Sequence, residues 1–277
     1  MDNNYIAKYY DETLPYYKHL WSRGSNAIHY GFWDEKTKNT KDALLNENRF
    51  LAEVVDIKPT DNVLDAGCGI GGSSVWIAKN IGARVVGITL SKKQLKEANK
   101  LAVEYNVNNK VEFKIDDFLN TSFPNNTFDV VWAIESVCHA KNKTDFLAET
   151  YRILKPDGRV VVADAFLARD VLKNEEKLFK DFLAGFVLSN LAKIFDFKKD
   201  MEAIGFKDVM SWDKTANVRK SLKILYTRVL IGYPFLKFAN ILGLVPDTVI
   251  KNGPTGIAQY KLFNSNLLKY NVFFGKK

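Results

Sequence analysis

Three groups of residues in this 277-residue chain have types and spacings suited to chemistry. The first is Val63-Leu64-Asp65-Ala66-Gly67-Cys68-Gly69-Ile70-Gly71-Gly72, an apolar run that ends in a carboxylate and turns through glycines at 67, 69 and 72. That G-x-G-x-x-G spacing lets backbone come close to a nucleotide-like ligand, and Asp65 offers the ligand a carboxylate. The second is Asp117 with Phe118, an acid and an aromatic ring just after the apolar run at 111–115. The third is Glu135 with His139, past the apolar run at 128–134. A carboxylate and an imidazole so placed can take a proton from a substrate or stabilise a cation.

Alternating apolar runs and amphipathic stretches must position these groups. Leu44, Leu45, Leu51, Val54 and Val55 recur at helical spacing, and Pro59 with Thr60, Asp61 and Asn62 ends that helix in a turn. Strands are expected at 63–66, 84–88, 111–115, 128–134 and 159–163, with helices between them. Ser91-Lys92-Lys93-Gln94 has the capping-box form S-x-x-Q and opens a helix with Leu95, Ala98, Leu101, Ala102 and Tyr105 on its apolar face. Five such alternations specify an α/β chain with a doubly wound parallel sheet, whose ligands bind at the carboxyl ends of the strands. Beyond it, 166–197 reads as an amphipathic helical insertion, followed by a helix near 200–204 and strands near 208–212 and 267–274. The apolar stretch 220–244 is interrupted by Lys223, Arg228, Gly232, Pro234 and Lys237, too often for a membrane span.

The formal net charge is +8, and it is concentrated late in the chain: after Asp213 the only acid is Asp247, against lysines and arginines from Lys214 to Lys277. Such a surface attracts nucleic acid, an anionic membrane or a phosphorylated substrate, or is simply a solvated positive face. Cys68 and Cys138 form no C-x-x-C pair, so neither a disulfide framework nor a zinc spacing is present. A reducing, cytoplasmic setting and no metal are expected. Residues 1–26 contain no continuous apolar run and do not read as a signal peptide. The aromatics from Tyr5 to Trp33, Trp21 among them, suit a segment that packs over a site.

A nicotinamide enzyme of this fold would place an acid about 20 residues beyond the glycine turn, where this chain has Gly87-Ile88-Thr89-Leu90-Ser91. The chain instead resembles the class I S-adenosylmethionine-dependent methyltransferases. The likeness rests on V-L-D-A-G-C-G-I-G-G, G-I-T-L-S-x-x-Q, D-D-F, F-D-V-V-W-A-I-E-S and I-L-K-P-D-G-R, in that order over roughly residues 40–165. It implies a Rossmann-like sheet, mostly parallel with an antiparallel last strand, in a single domain over 1–277. That domain comprises an aromatic segment at 1–39, a cofactor core at 40–165, a helical insertion at 166–199, and a remainder at 200–277 with a basic apolar lid at 214–262.

The resemblance also implies S-adenosyl-L-methionine as cofactor, with S-adenosyl-L-homocysteine as product, and assigns roles. Asp65, Gly67, Cys68 and Gly69 line the methionine and ribose, Thr89, Leu90 and Gln94 the ribose and adenine edge, and Asp117 and Phe118 the adenine; Tyr9 and Glu135 complete the cofactor site. His139 is the candidate base, with Glu135, Tyr10 and Tyr30 beside it as catalytic candidates. The T-L-S-x-x-Q form is similar to that of cyclopropane fatty acid synthases and terpene methyltransferases. Residues 133–140, Tyr-Tyr-Asp at 9–11 and His-Tyr-Gly-Phe at 29–32 resemble the sterol, tocopherol and phosphoethanolamine group. Plainer readings stand beside these: Gln94 as a helix cap, Phe118 as core, His139 as a loop cap, the tyrosines as packing.

The absence of N/D-P-P-Y/F after the fourth strand counts against a nucleic-acid substrate. The expected activity is methyl transfer to a small lipid-like or isoprenoid acceptor, with peripheral membrane contact through the basic apolar C-terminal region. N-methylation of a small amine and a non-enzymatic, cofactor-binding scaffold are the alternatives.

Overall fold

In the computed structural model the described residues are 3–18 and 26–277; Trp21 lies outside them. The strand that carries Asp65, Asn62–Ala66 (β1), is buried from Val63 onward, as a central parallel strand covered on both faces must be. It lies between Arg84–Thr89 (β2) and Phe128–Ile134 (β4), and pairs with both in parallel. Val111–Ile115 (β3) forms the outer edge beside β2, while Leu154–Leu167 (β5), Lys207–Asp213 (β6) and Leu268–Lys276 (β7) complete a seven-stranded sheet in the order 3-2-1-4-5-7-6. Only β7 runs antiparallel to its neighbours. The chain moves outward from β1 to β3 and returns on the other side as β4, so a crevice opens where β1 and β4 end.

Helices cover both faces. Thr40–Val55 (α2), Gly72–Asn80 (α3) and Lys92–Glu104 (α4) bury one face of the sheet around Trp132 and Tyr270, together with Thr215–Ile241 (α8) and Asp247–Asn264 (α9). Lys143–Ile153 (α5) and Ile194–Ile204 (α7) bury the other around Phe128, Phe146, Phe197 and Phe273.

Asn3–Tyr16 (α1) lies outside the sheet and is fastened to the N-terminus of α4. Ser91 accepts the Gln94 N–H at 3.0 Å, as the S-x-x-Q motif predicts. The Gln94 side chain does not reach back to Ser91, however; it accepts the Thr89 hydroxyl at 2.7 Å, and Thr89 accepts the Ser91 N–H at 3.2 Å. Asp11 of α1 supplies the missing anion, accepting the Ser91 hydroxyl and the Lys93 N–H. A carboxylate at that end of a helix is favoured by the helix dipole by about 0.3–1 kcal/mol.

Two elements differ from the sequence-based expectation, and the structure defines a third that the sequence leaves open. The fifth strand does not stop at Ala163 but runs to Leu167, because β7 pairs with it from Arg159 to Leu167. The helical insertion contributes one helix of its own, Glu176–Gly185 (α6), and the next helix begins at Ile194 rather than near Asp200. The interrupted stretch 220–244, whose secondary structure the sequence leaves open, is helical as far as Ile241, as part of the 27-residue α8, which continues through Pro234.

The helix is continuous because α9 lies along it. Tyr226 stacks on Tyr260 at 4.4 Å between centroids, and Gly253 and Gly256 admit Tyr233 and Val229 where a methyl group would collide. Among the described residues no helix is long and apolar enough to cross a membrane.

A β-carbon at Gly253 would lie 2.3 Å from the Tyr233 ring. Gly253→Ala is therefore expected to cost about 1–3 kcal/mol by overpacking. Urea unfolding measures the loss, and limited proteolysis will place the first cuts between 215 and 264.

Candidate functional site

A cavity with about 210 Å³ of solvent-accessible space opens at the carboxyl ends of β1, β2, β4 and β5, under α1, α6, α8 and α9. Its two ends differ in chemistry.

The polar end follows the glycine turn. Asp65 is buried and accepts the Ser74 hydroxyl at 2.5 Å. Burial pushes its carboxyl up to about 6, while the Ser74 bond and the nearby His29 hold it down in part. Gly67 has φ +92°, and a β-carbon there would lie 2.4 Å from that of Ser136, so the turn sits directly against the end of β4. Gly69, also left-handed at φ +54°, would place a β-carbon in open space. Its bare backbone thus faces the cavity. Cys68, with its thiol pushed up by burial, lines the same end with Thr89, Leu90 and Gln94. Asp117 accepts the Leu119 N–H at 2.9 Å and the Asn3 side-chain amide at 2.7 Å, and Phe118 meets the edge of Phe146.

At the junction stands Glu135, in left-handed conformation at φ +48°. It accepts the Tyr30 N–H at 2.9 Å and contacts the Tyr270 hydroxyl at 3.0 Å. That hydroxyl also bonds Glu47, fully buried on α2, at 2.7 Å. One phenol has one proton to give, and burial together with the Glu47 charge holds the Glu135 carboxyl well above the usual range. A protonated Glu135 satisfies both contacts. Glu47 also accepts the Gly31 N–H at 3.0 Å and pairs with His29 Nδ1 at 2.6 Å. His29, Glu47 and Glu135 bring ligand atoms within 4.8 Å of one another, a separation compatible with a metal, but these groups already bond each other or the chain around them.

The other end is mostly apolar, walled by Phe182, Phe186, Leu188, Leu191 and Leu225. Into it project His139, from the short 3-10 turn Val137–His139, and Tyr10 of α1, with His139 Nε2 and the Tyr10 hydroxyl 2.7 Å apart. The imidazole is half-buried and lines the cavity. Burial pushes it down to about 4, with the Val187 backbone opposing and the Lys143 charge reinforcing the shift. Burial likewise holds the Tyr10 phenol well above 10, so both partners are neutral at pH 7. Asp164, within β5 and opposite Asn271 of β7, accepts the Cys138 and Ala165 N–H groups at 2.8 and 2.7 Å, and burial raises its carboxyl to about 6. Gln259 of α9 is fully buried: its Oε1 accepts the Tyr30 hydroxyl at 2.5 Å, and its Nε2 has no partner among the described residues.

Every site residue expected from the sequence lines this cavity except Tyr9. Tyr9 packs instead with Ile6 and Val187 and shares a 2.9 Å hydrogen bond with the Tyr17 hydroxyl. Adjacent helical residues point about 100° apart, and here Tyr10 turns to the cavity while Tyr9 turns to Ile6, Val187 and Tyr17. Tyr30 lines the wall with its hydroxyl committed to Gln259. Sequence reasoning missed Glu47, Asp164, Gln259 and Tyr270. Glu47 had a signal, a charge between Leu44 and Leu51 on an apolar helix face, and so had Asp164, an acid directly after a strand. Gln259 and Tyr270 had none.

The architecture is that of the Rossmann-like methyltransferases. Residues 64–162 match the family described as Methyltransferase domain. The tocopherol O-methyltransferase of Arabidopsis thaliana is 34% identical over 185 residues, 62% of this chain and 52% of that protein. The 27-O-demethylrifamycin SV methyltransferase of Amycolatopsis mediterranei (strain S699) is 33% identical over 164 residues, 59% of each chain. The chain spans 52% to 62% of the length of these first curated relatives. Among solved structures, a (4+2)-cyclase, SpnF, superposes with TM-score 0.84 at 20% identity over 100% of this chain and 97% of its own. A geranyl diphosphate C-methyltransferase from Streptomyces coelicolor A3(2) does so with TM-score 0.78 at 20% identity, over 99% and 97%. These likenesses show the fold. The matched domain at 64–162, with tocopherol and sterol methyltransferases among the curated relatives, marks this region as a class I S-adenosylmethionine-dependent methyltransferase domain.

The Tyr10 and His139 geometry is testable without any ligand. In spectra of protein labelled with nitrogen-15 histidine, His139 will remain neutral at pH 6 and titrate near pH 4. Tyr10→Phe will move the Nε2 resonance by removing its hydrogen bond.

Proposed function

We propose that the protein transfers a methyl group from S-adenosylmethionine to a small, mainly apolar acceptor. The observation that carries this is the contrast between the two ends of one cavity: carboxylates and bare glycine backbone at one, phenylalanine and leucine walls at the other. Fold alone would not suffice, since a cyclase shares it.

The polar end fits the cofactor. Asp65 and the backbone at Gly67 and Gly69 would hold the amino-acid portion and ribose, Thr89, Leu90 and Gln94 the ribose and adenine edge, and Asp117 with Phe118 the adenine. Asn3 now occupies the Asp117 oxygen that an adenine amino group would claim. When bound, the cofactor supplies an electrophilic methyl carbon on a sulfonium. The chain's part is to hold the acceptor in line with that carbon and exclude water, which supplies most of the rate. His139 accepts the proton an acceptor hydroxyl must lose, directly or through Tyr10. Its depressed pKa keeps the lone pair free at neutral pH, though at some loss of basicity. Glu135, held neutral, positions Tyr30 and through it Gln259.

Among the described residues that line the cavity there is no lysine or arginine, which disfavours a phosphorylated amine. A second reading, N-methylation of an apolar amine, is favoured by the buried carboxyls of Asp164 and Glu135 beside the His139 pair. Supplying methyl-tritiated S-adenosylmethionine with a tocopherol-type phenol, a sterol, an apolar secondary amine and phosphoethanolamine separates the readings. Label is expected in an organic-extractable product of the phenol, sterol or apolar amine; label in phosphoethanolamine alone would reject both readings. His139→Ala is expected to reduce kcat about 10²–10⁴-fold if it is the base, and Tyr10→Phe to reduce it less.

Calorimetry with S-adenosylhomocysteine tests the cofactor end. Asp65 attracts the ligand's ammonium group only when ionised, and it titrates at about 6. Affinity will therefore rise from pH 5 to pH 7, and Asp65→Asn will weaken binding and flatten the rise. No binding by the wild-type protein at any pH would reject the proposed function.

A further inference from the structure

The outer face of α8 is apolar where it meets solvent. Ile231, Phe235 and Phe238 follow one another at i, i+4 and i+7 as a single stripe with Ile241 beside its end, and Leu242 and Leu244 in the turn that follows are exposed as well. Phe235 is 74% exposed, Phe238 65% and Ile241 80%. A helix whose inner side already packs on α9 does not need these side chains for its own burial, and clustered exposed apolar residues of this size mark an interaction surface.

The charge beside the stripe identifies the occupant. Over its 27 residues α8 carries Arg219, Lys220, Lys223, Arg228 and Lys237 and no acid. Lys220 and Lys223 are exposed on the N-terminal continuation of the stripe, and Lys237 flanks it. The next acid, Asp247, is bonded to the Asn240 side chain at 2.9 Å. A second copy docked on this face by a two-fold axis would press two such cationic helices together, which is unfavourable. An anionic lipid surface satisfies both features at once, taking the apolar side chains into the acyl boundary and the cations among the headgroups.

We propose that the exposed face of α8 from Ile231 to Ile241, with Leu242 and Leu244 of the turn that follows, docks the protein on an anionic membrane surface, with Phe235 and Phe238 as apolar anchors. The helix lies on the surface and does not span it. Its inner side supplies Leu225 to the cavity wall, and α9 beside it supplies Gln259. Docking would therefore set the lid of the cavity against the lipid in which an apolar acceptor dissolves. Vesicle binding itself needs neither cofactor nor acceptor, so the proposal stands or falls apart from the methyl-transfer reading.

Co-sedimentation with vesicles of phosphatidylcholine alone, and of phosphatidylcholine with 30% phosphatidylglycerol, tests it. Capture by the anionic vesicles at least tenfold above the neutral ones is expected, and it will weaken as salt rises from 50 to 300 mM. Phe235→Ser with Phe238→Ser, at exposed positions where the thermal melt should be unchanged, will lower capture about tenfold or more. Lys223→Glu with Lys237→Glu will lower it comparably. Protein left in the supernatant with both vesicles would overturn the proposal. So would equal capture by both lipids, or capture indifferent to the phenylalanine substitutions. A dimer in light scattering that those same substitutions split would assign the face to a second copy instead.

Discussion

Two buried carboxylates share one phenol in this protein, and much of the site depends on that arrangement. The Tyr270 hydroxyl reaches Glu47 at 2.7 Å and Glu135 at 3.0 Å, and the phenol has one proton to give. The contacts are all satisfied if one of the two acids keeps its proton, and burial and the Glu47 charge favour that acid being Glu135. Were both acids ionised side by side in so dry an environment, the repulsion would be severe. Around this pair the network extends to His29, to the Gly31 and Tyr30 amides, and through the Tyr30 hydroxyl to Gln259. The N-terminal segment, α2, the end of β4, α9 and β7 are thereby fixed to one another. These segments form the wall between the two ends of the cavity.

That wall divides two kinds of chemistry. On one side the strand ends of the parallel sheet present Asp65, Asp117 and the glycine turn, as this topology requires at its switch point. On the other, α6, α8 and α9 bring a surface of phenylalanine and leucine over His139 and Tyr10. The imidazole and phenol are held neutral by the same apolar surroundings that suit an apolar acceptor.

The lid helices follow a different rule from the sheet. On α8, glycines of the partner helix α9 permit close approach on one side, while large apolar side chains remain in solvent on the other. A helix that is apolar around its whole circumference normally lies in a core or a bilayer. This one meets the protein on one side only. Its length and its basic residues suit a surface rather than an interior.

The sequence by itself determined the sheet core and most of the polar end of the site. Those depend on local signals: an apolar run, a glycine turn that needs left-handed φ, a serine cap at Ser91, an acid at a strand end. Such features are decided within a few residues by sterics and hydrogen bonding, and Asp65, Thr89, Gln94 and Asp117 line one cavity at the strand ends. Tertiary structure alone decided that Tyr9 turns away while Tyr10 meets His139, 129 positions distant. It alone extended β5 to Leu167, since a strand end is set by the partner that pairs with it, here β7. It also brought Glu47, Tyr270 and Gln259 to a site built around Glu135, and it kept α8 continuous through Pro234 by packing α9 along it. The physical reason is common to these cases: buried polar groups must find partners, and the chain supplies them from segments that no local pattern connects.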